Sequence, residues 1–253
     1  MIKLYPSSRL NAQPRLLHTL NRPTLFRNHM LDLNSVSALF DVQEVFFTVL
    51  EHPVSYVEFI GTVLGLISVF LAARANIFTW PTGIANAIFF MLIFYQIHLY
   101  SDMFLQMYFC VMGVYGWFTW KYRAEHAQSA IRTLSNTNRL WLAALIVGAV
   151  LIIGTLISQI HLLLPQIFEK PASYPYIDTF VAVSSVLAVI LLARRIFETW
   201  VLWVLVDITS IGLYAVKGVK LIALEYIIFL GLAVLGILSW YRLWKREEPV
   251  TVD

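Results

Sequence analysis

Seven apolar stretches, roughly 56–74, 76–98, 100–122, 140–164, 177–195, 197–217 and 221–244, follow one another along the chain with short polar connections between them. Each is near the ~20 residues a helix needs to cross a bilayer. In lipid the backbone has no partner but itself, so each is expected to be helical. An earlier stretch, 33–52, is apolar but interrupted by Asp41 and Glu44. It is expected to form an extra N-terminal helix, either transmembrane or lying in the interface.

The pattern repeats. Tyr56, Glu58, Leu71, Ala73, Arg74, Thr79 and Trp80 recur 120 positions later as Tyr176, Asp178, Leu191, Ala193, Arg194, Thr199 and Trp200. Gly116 and Trp120 recur in the same way as Gly236 and Trp240. Repeats of this size in a membrane chain indicate duplicated helix groups. The stretch near 140–164 has no counterpart in either repeat. Three spans leave the chain on the side opposite its start, so one more crossing is needed before a parallel second copy can begin. The expected architecture is an all-α polytopic membrane protein of two parallel three-helix-bundle repeats, 55–122 and 176–246, joined by a linker helix over 139–165. A basic tail over 1–32 and a short tail over 247–253 complete it.

Composition agrees. The chain is 59% hydrophobic and only 13% charged, against about 25% charged in soluble domains, and its mean hydropathy is +0.73. The net charge of +3 does not point to nucleic acid, because the basic residues sit at span ends rather than in one patch. Arg74, Lys121, Arg123, Arg132, Arg139, Arg194, Arg195, Arg242, Lys245 and Arg246 fall on alternate connections, against Lys170, Lys217 and Lys220 on the others. Cytoplasmic loops hold the excess of Lys and Arg, so the C-terminus is expected in the cytoplasm. Seven spans would then place the basic N-terminal tail outside, and an eighth crossing over 33–52 removes that conflict. Cys110 is the single cysteine, so no intrachain disulfide exists. No cleavable signal peptide is expected, since the basic tail leads into no clean apolar core.

Polar side chains within the spans mark where function should lie, because each is costly in hydrocarbon unless it faces protein or water. Trp200, Trp203, Asp207 and Tyr214 are spaced to share one helical face. The bland reading makes the tryptophans interfacial and Tyr214 a packing residue, but Asp207 is too deep to reach the headgroups easily. In the first repeat, Trp80 opens a segment with Pro81, Gly83 and Asn86. Pro81 and Gly83 are ordinary helix-entry residues or a gating element. Gln96 and Gln106 offer amides for a carboxamide or ribose hydroxyl, or for an interhelical hydrogen bond. Glu58 and Asp178 lie near span ends and line a mouth or face solvent. The six histidines are scattered, which argues against an enzyme. No phosphate-binding Gly-x-x-x-x-Gly-Lys-Ser/Thr motif is present, and no cofactor or metal is expected.

Trp80-Pro-Thr-Gly-Ile-Ala-Asn86, Gln96, Asp102 and Gln106, then Gly116-Trp117-x-x-Trp120, and Trp200-x-x-Trp203-x-x-x-Asp207 together resemble the PnuC family of vitamin B3 precursor transporters. The resemblance covers about residues 55–246. It implies import of nicotinamide riboside by facilitated diffusion, trapping by cytoplasmic phosphorylation, a fold related to the SWEET sugar transporters and a bacterial inner-membrane location. It also implies a homo-oligomer, trimeric by the family's habit. Under it, Trp80, Asn86, Gln96, Gln106, Trp200, Trp203, Asp207 and Tyr214 are the substrate-binding candidates, with Pro81 and Gly83 as gating candidates. No Arg lies deep in a span, so a phosphate would lack its usual partner. The alternative is a proton- or sodium-coupled carrier of a nucleoside, sugar or vitamin-like molecule.

Overall fold

The structure is a computed structural model that describes residues 39–49, 52–98, 100–126, 130–163, 166, 171–218, 220–246 and 250–252. Seven helices dominate these residues: α1 Tyr56–Ala73, α2 Thr79–Gln96, α3 Tyr100–Glu125, α4 Asn136–Leu163, α5 Pro175–Ala193, α6 Glu198–Val216 and α7 Lys220–Arg246. They match the seven expected spans to within a few residues. Five of them (α1, α4, α5, α6 and α7) are long and apolar enough to cross a membrane. The chain is a helical polytopic membrane protein.

Local chemistry sets the helix starts. Ser55 caps α1 by accepting from the Glu58 N–H at 3.3 Å, satisfying a donor that the first turn leaves free. Pro175 opens α5 and Pro81 lies in the first turn of α2, where the missing N–H costs nothing.

Helices adjacent in sequence pack within α1–α3 and within α5–α7, and α4 lies against α5. The two sets meet where α1 touches α7 and α3 touches α5. The 120-residue offset reappears in this geometry. Ala75 and Arg195 both take left-handed backbone, at φ 52° and 56°, and so do His98 and Gly218, at 62° and 76°. Such a conformation costs a non-glycine residue about 1 kcal/mol or more, so the shared positions mark a shared way of turning from helix to helix. The Thr79 hydroxyl donates to the Ser68 carbonyl at 2.9 Å, and 120 residues on Thr199 donates to Ala188 at 2.8 Å.

The core sits at the junction. Trp80, Trp120, Trp240 and Trp200 form a continuous row with ring centroids 5.4, 6.3 and 5.7 Å apart. Two of these rings are tied across the junction. The Trp120 indole N–H donates to the Leu192 carbonyl at 3.2 Å, and the Trp240 N–H to the Ala72 carbonyl at 2.9 Å.

The expected extra N-terminal helix over 33–52 is not what the described part of that stretch forms. Strands β1 Val45–Val49 and β2 His52–Ser55 make an antiparallel hairpin instead. The run Val45-Phe46-Phe47-Thr48-Val49 is β-branched and aromatic, which favours extended backbone. Phe46 and Phe47 lie on Phe59, with centroids 5.4 and 5.5 Å apart. The tail over 1–32 and residues 33–38 lie outside the described residues.

The connection between α3 and α4 is also extended. β3 Arg132–Leu134 pairs in parallel with β4 Val250–Val252, and Arg132 forms a further bridge to Ile196. Glu198, at the start of α6, is buried. It accepts from the Leu134 N–H at 3.1 Å and from Arg139 Nε at 2.8 Å. This one carboxylate therefore fastens the connection to α6. Glu198→Ala leaves both donors without their acceptor and is expected to cost about 2–3 kcal/mol, whereas Arg139→Ala, at a half-exposed guanidinium, costs under about 1 kcal/mol. Thermal unfolding of the two variants checks the order.

Candidate functional site

Asp207 is the middle residue of the nineteen in α6. It is 3% exposed and makes no hydrogen bond or ion pair among the described residues. A buried carboxylate without a partner is costly, and such a group persists where it has work to do. One turn on, Ser210 is wholly buried. The Tyr226 hydroxyl of α7 lies beside Ser210 and within electrostatic reach of Asp207. Tyr226 in turn stacks on Tyr214 of α6, with centroids 5.7 Å apart and rings 13° from parallel. Half-buried Trp203 stands one turn before Asp207 on the same helix. The result is a carboxylate with a hydroxyl and the stacked Tyr214–Tyr226 pair beside it between α6 and α7, and with Trp203 packed into the core a turn away.

Beyond Tyr214 the surroundings become acidic. Asp178, Asp102 and Glu225 all act electrostatically on Tyr214, and Glu58 acts on Glu225. Four carboxylates from α1, α3, α5 and α7 therefore gather at the end of the molecule away from the tryptophan row. Lys217 moderates one of them, reaching Asp178 at 3.1 Å. A field of this sign draws a cationic solute toward the Tyr214–Tyr226 pair.

Asp207 and Tyr214 both neighbour Tyr226 of α7, while Trp203, on the same face of α6, packs against the hydrophobic core. The structure separates the other candidates. Trp80 and Trp200, expected to bind substrate, are 4% and 1% exposed. Each ring lies directly on a glycine of the next helix, so that a Cβ on Gly116 or Gly236 would come within 2.4 Å of it. No face of either ring is open to a ligand, and both are packing residues of the junction. Asn86 donates to the Gly61 carbonyl at 2.7 Å and fills the space over Gly65, so it ties α2 to α1 and keeps only part of its amide free.

Gln96 has both ends of its amide engaged, accepting from Val42 N–H at 3.0 Å and donating to the Phe40 carbonyl at 2.8 Å. It holds the segment before β1 and is no substrate ligand here. Pro81 and Gly83 lie within unbroken helix α2, where Gly83 admits the Ser68 hydroxyl 2.9 Å from where its Cβ would be. That contact gives Gly83 a close-packing role rather than a hinge. Gln106, on α3, is half-buried and makes no hydrogen bond among the described residues.

Sequence reasoning did not single out Ser210 and Tyr226 as site residues. Ser210 was legible as the position one turn after Asp207, and Tyr226 as the residue 120 positions after Gln106. Among the described residues no group of three or more His, Cys, Asp or Glu is arranged to hold a metal.

Comparison with known proteins places the chain among membrane transporters. Residues 55–242 match the family model described as nicotinamide mononucleotide transporter. The chain is 31% identical over 208 residues to the nicotinamide riboside transporter PnuC of Escherichia coli, covering 75% of this chain and 86% of that one. It is 24% identical to the riboflavin/roseoflavin transporter RibM of Streptomyces davaonensis, covering 82% of this chain and 94% of the relative. A crystal structure of the vitamin B3 transporter PnuC shares the fold with a TM-score of 0.56 at 22% identity, covering 85% of this chain and 88% of the other.

Proposed function

The chain belongs to the nicotinamide mononucleotide transporter family, and from that premise we propose that it imports nicotinamide riboside across a bacterial cytoplasmic membrane. It is a transporter and not an enzyme. Transport is by facilitated diffusion with alternating access. Helices α1–α3 and α5–α7 act as two bundles joined by α4 that rock about a site between them. The left-handed turns at matched positions and the paired tryptophan bonds support that layout. Net import is driven by phosphorylation of the riboside in the cytoplasm, on the side of the C-terminus and the basic connections. The working unit is a homo-oligomer.

The observation that carries the substrate reading is buried Asp207, with no hydrogen bond or ion pair among the described residues, near Tyr214 and Tyr226. Nicotinamide riboside presents a pyridinium cation, a carboxamide and ribose hydroxyls. Aromatic faces attract the cation by up to about 2 kcal/mol when water is excluded, Asp207 balances its charge, and Ser210 and Gln106 suit the polar edges. The acidic end gives the cation its approach.

Tryptophan fluorescence of purified protein titrated with nicotinamide riboside, nicotinamide, the mononucleotide and riboflavin tests the assignment. At the Asp207 site the riboside is expected to bind and the mononucleotide to compete with it only far more weakly, since among the described residues no cation deep in the spans meets its phosphate. Riboflavin is the second reading, favoured by the similarity to RibM, and its binding in place of the riboside would replace the first. In proteoliposomes, uptake should stop at equilibrium. Accumulation above it that collapses with the proton or sodium gradient would replace facilitated diffusion by an ion-coupled mechanism.

A further inference from the structure

The end of the molecule that carries the tryptophan row holds a cluster of guanidinium groups. Arg132, in β3, lies across the turn between α5 and α6. Its N–H donates to the Arg195 carbonyl at 3.0 Å, its carbonyl accepts from the Phe197 N–H at 2.8 Å, and its Nη2 donates to the Arg194 carbonyl at 2.8 Å. The main chain of β3 is thus fixed, and with it the position of the side chain. Arg195 is held equally firmly, over the Trp120 ring at 4.5 Å with Nη2 at 3.3 Å from the Ala75 carbonyl. Arg123 stands one turn beyond Trp120 on α3, within electrostatic reach of Arg132.

Among the described residues no acid pairs with these charges. Arg123, Arg132 and Arg194 form no ion pair among the described residues, where Glu198, the nearby buried carboxylate, is taken by Arg139. The Nε of Arg132 is buried and has no hydrogen-bond partner among the described residues. Burial, followed by the like charges of Arg123 and Arg194, lowers the pKa of Arg132 from its ordinary value. Three cations crowded with no ion pair among the described residues, one with a buried donor unused there, are a cost that an anion would remove. The forked N–H geometry of guanidinium groups matches a tetrahedral oxyanion, to which they can donate in pairs.

We infer that Arg123, Arg132 and Arg194 form a phosphate-binding site at this basic end, separate from the site around Asp207. The site recognises a phosphate group carried either by a small water-soluble molecule or by an anionic lipid headgroup. It does not depend on which solute is transported. It stands beside the junction of the two helix sets, where occupancy would press on Arg195 and Trp120.

Two probes separate the sources. Radiolabelled inorganic phosphate is measured by equilibrium dialysis against protein in neutral detergent. Retention of phosphatidylglycerol through delipidation is measured by native mass spectrometry. Arg194→Gln is the informative variant, since its side chain is exposed and its loss should not disturb folding, and a thermal melt confirms that. Lys121→Gln, exposed at the same end, controls for general positive charge.

The expected result is that R194Q weakens one of the two ligands by about tenfold, with K121Q close to the unchanged protein. Loss of phosphate binding identifies a soluble phosphate, and loss of lipid retention alone identifies a headgroup. If neither ligand binds, or if K121Q and R194Q weaken binding equally, there is no built site and the inference is wrong. Riboside binding at Asp207 should persist in R194Q, so failure here and failure of the transport reading remain distinguishable.

Discussion

Asp207→Ala is expected to weaken nicotinamide riboside binding by about ten- to a hundredfold while leaving the folded protein as stable as before or more so. The two halves of that expectation have one cause. Asp207 is buried and makes no hydrogen bond or ion pair among the described residues, so removing it relieves a desolvation cost in the free protein. In the complex it removes a charge-assisted contact worth about 1.5–3 kcal/mol, and each 1.4 kcal/mol is about tenfold in affinity. Asp207→Asn keeps a hydrogen-bonding group without the charge and should fall between. Asp178→Ala is the comparison, because Asp178 is a half-exposed acid already paired with Lys217; its loss should change affinity less than about threefold. Titration and thermal unfolding of the same samples give the answer. Equal losses of affinity in the two Ala variants, or a large loss of stability in D207A, would mean that Asp207 is structural.

The largest loss of stability should come from the tryptophan row. Trp240 is fully buried, touches both Trp120 and Trp200 and donates across the junction to Ala72. Trp240→Ala is expected to cost about 3–5 kcal/mol. Within a membrane this cost does not come from exposing apolar surface to water, since the lipid is as apolar as the protein. It comes from lost contacts around a cavity and from the loss of the indole hydrogen bond across the junction, the Ala72 carbonyl keeping its bond from the Ala75 N–H at 2.8 Å. Trp120→Ala loses the equivalent contacts and the Arg195 stack at 4.5 Å as well, so it should be the worse of the two by about 0.5–1 kcal/mol. Trp141, 71% exposed on α4, supplies the control. If W141A lowers the unfolding temperature as much as W240A, the row does not hold the junction.

Much of the fold could be read from the sequence because in lipid the backbone has one solution: an apolar run of sufficient length becomes a helix whatever its neighbours. The β hairpin at 45–55 escaped because the marginal segment contains Asp41 and Glu44 and does not satisfy that rule; strand propensity then decided. The site was legible in part for a similar reason. Trp203, Asp207 and Tyr214 sit on one helix, and spacing along one helix fixes which side chains share a face. Spacing cannot say which rings are covered from the next helix. Trp80 and Trp200 looked like ligand-facing aromatics until Gly116 and Gly236 were seen beneath them. Gln96 looked like a pore amide, but its partners Phe40 and Val42 lie more than fifty residues earlier in the chain.

The paired indole bonds across the junction have a consequence for origin. Trp120 reaches Leu192 and Trp240 reaches Ala72, and each donor and each acceptor differs from its counterpart by the same 120 positions. A single repeat therefore carries both halves of the contact, the tryptophan that gives and the carbonyl that receives. A chain of half this length would be able to pair with a copy of itself through the same two bonds, as an isologous interface does. The present junction departs from that symmetry at one corner, where Arg195 crosses to the Ala75 carbonyl. An alanine at position 75 returns no such contact, so at this corner the two faces of the junction are unlike.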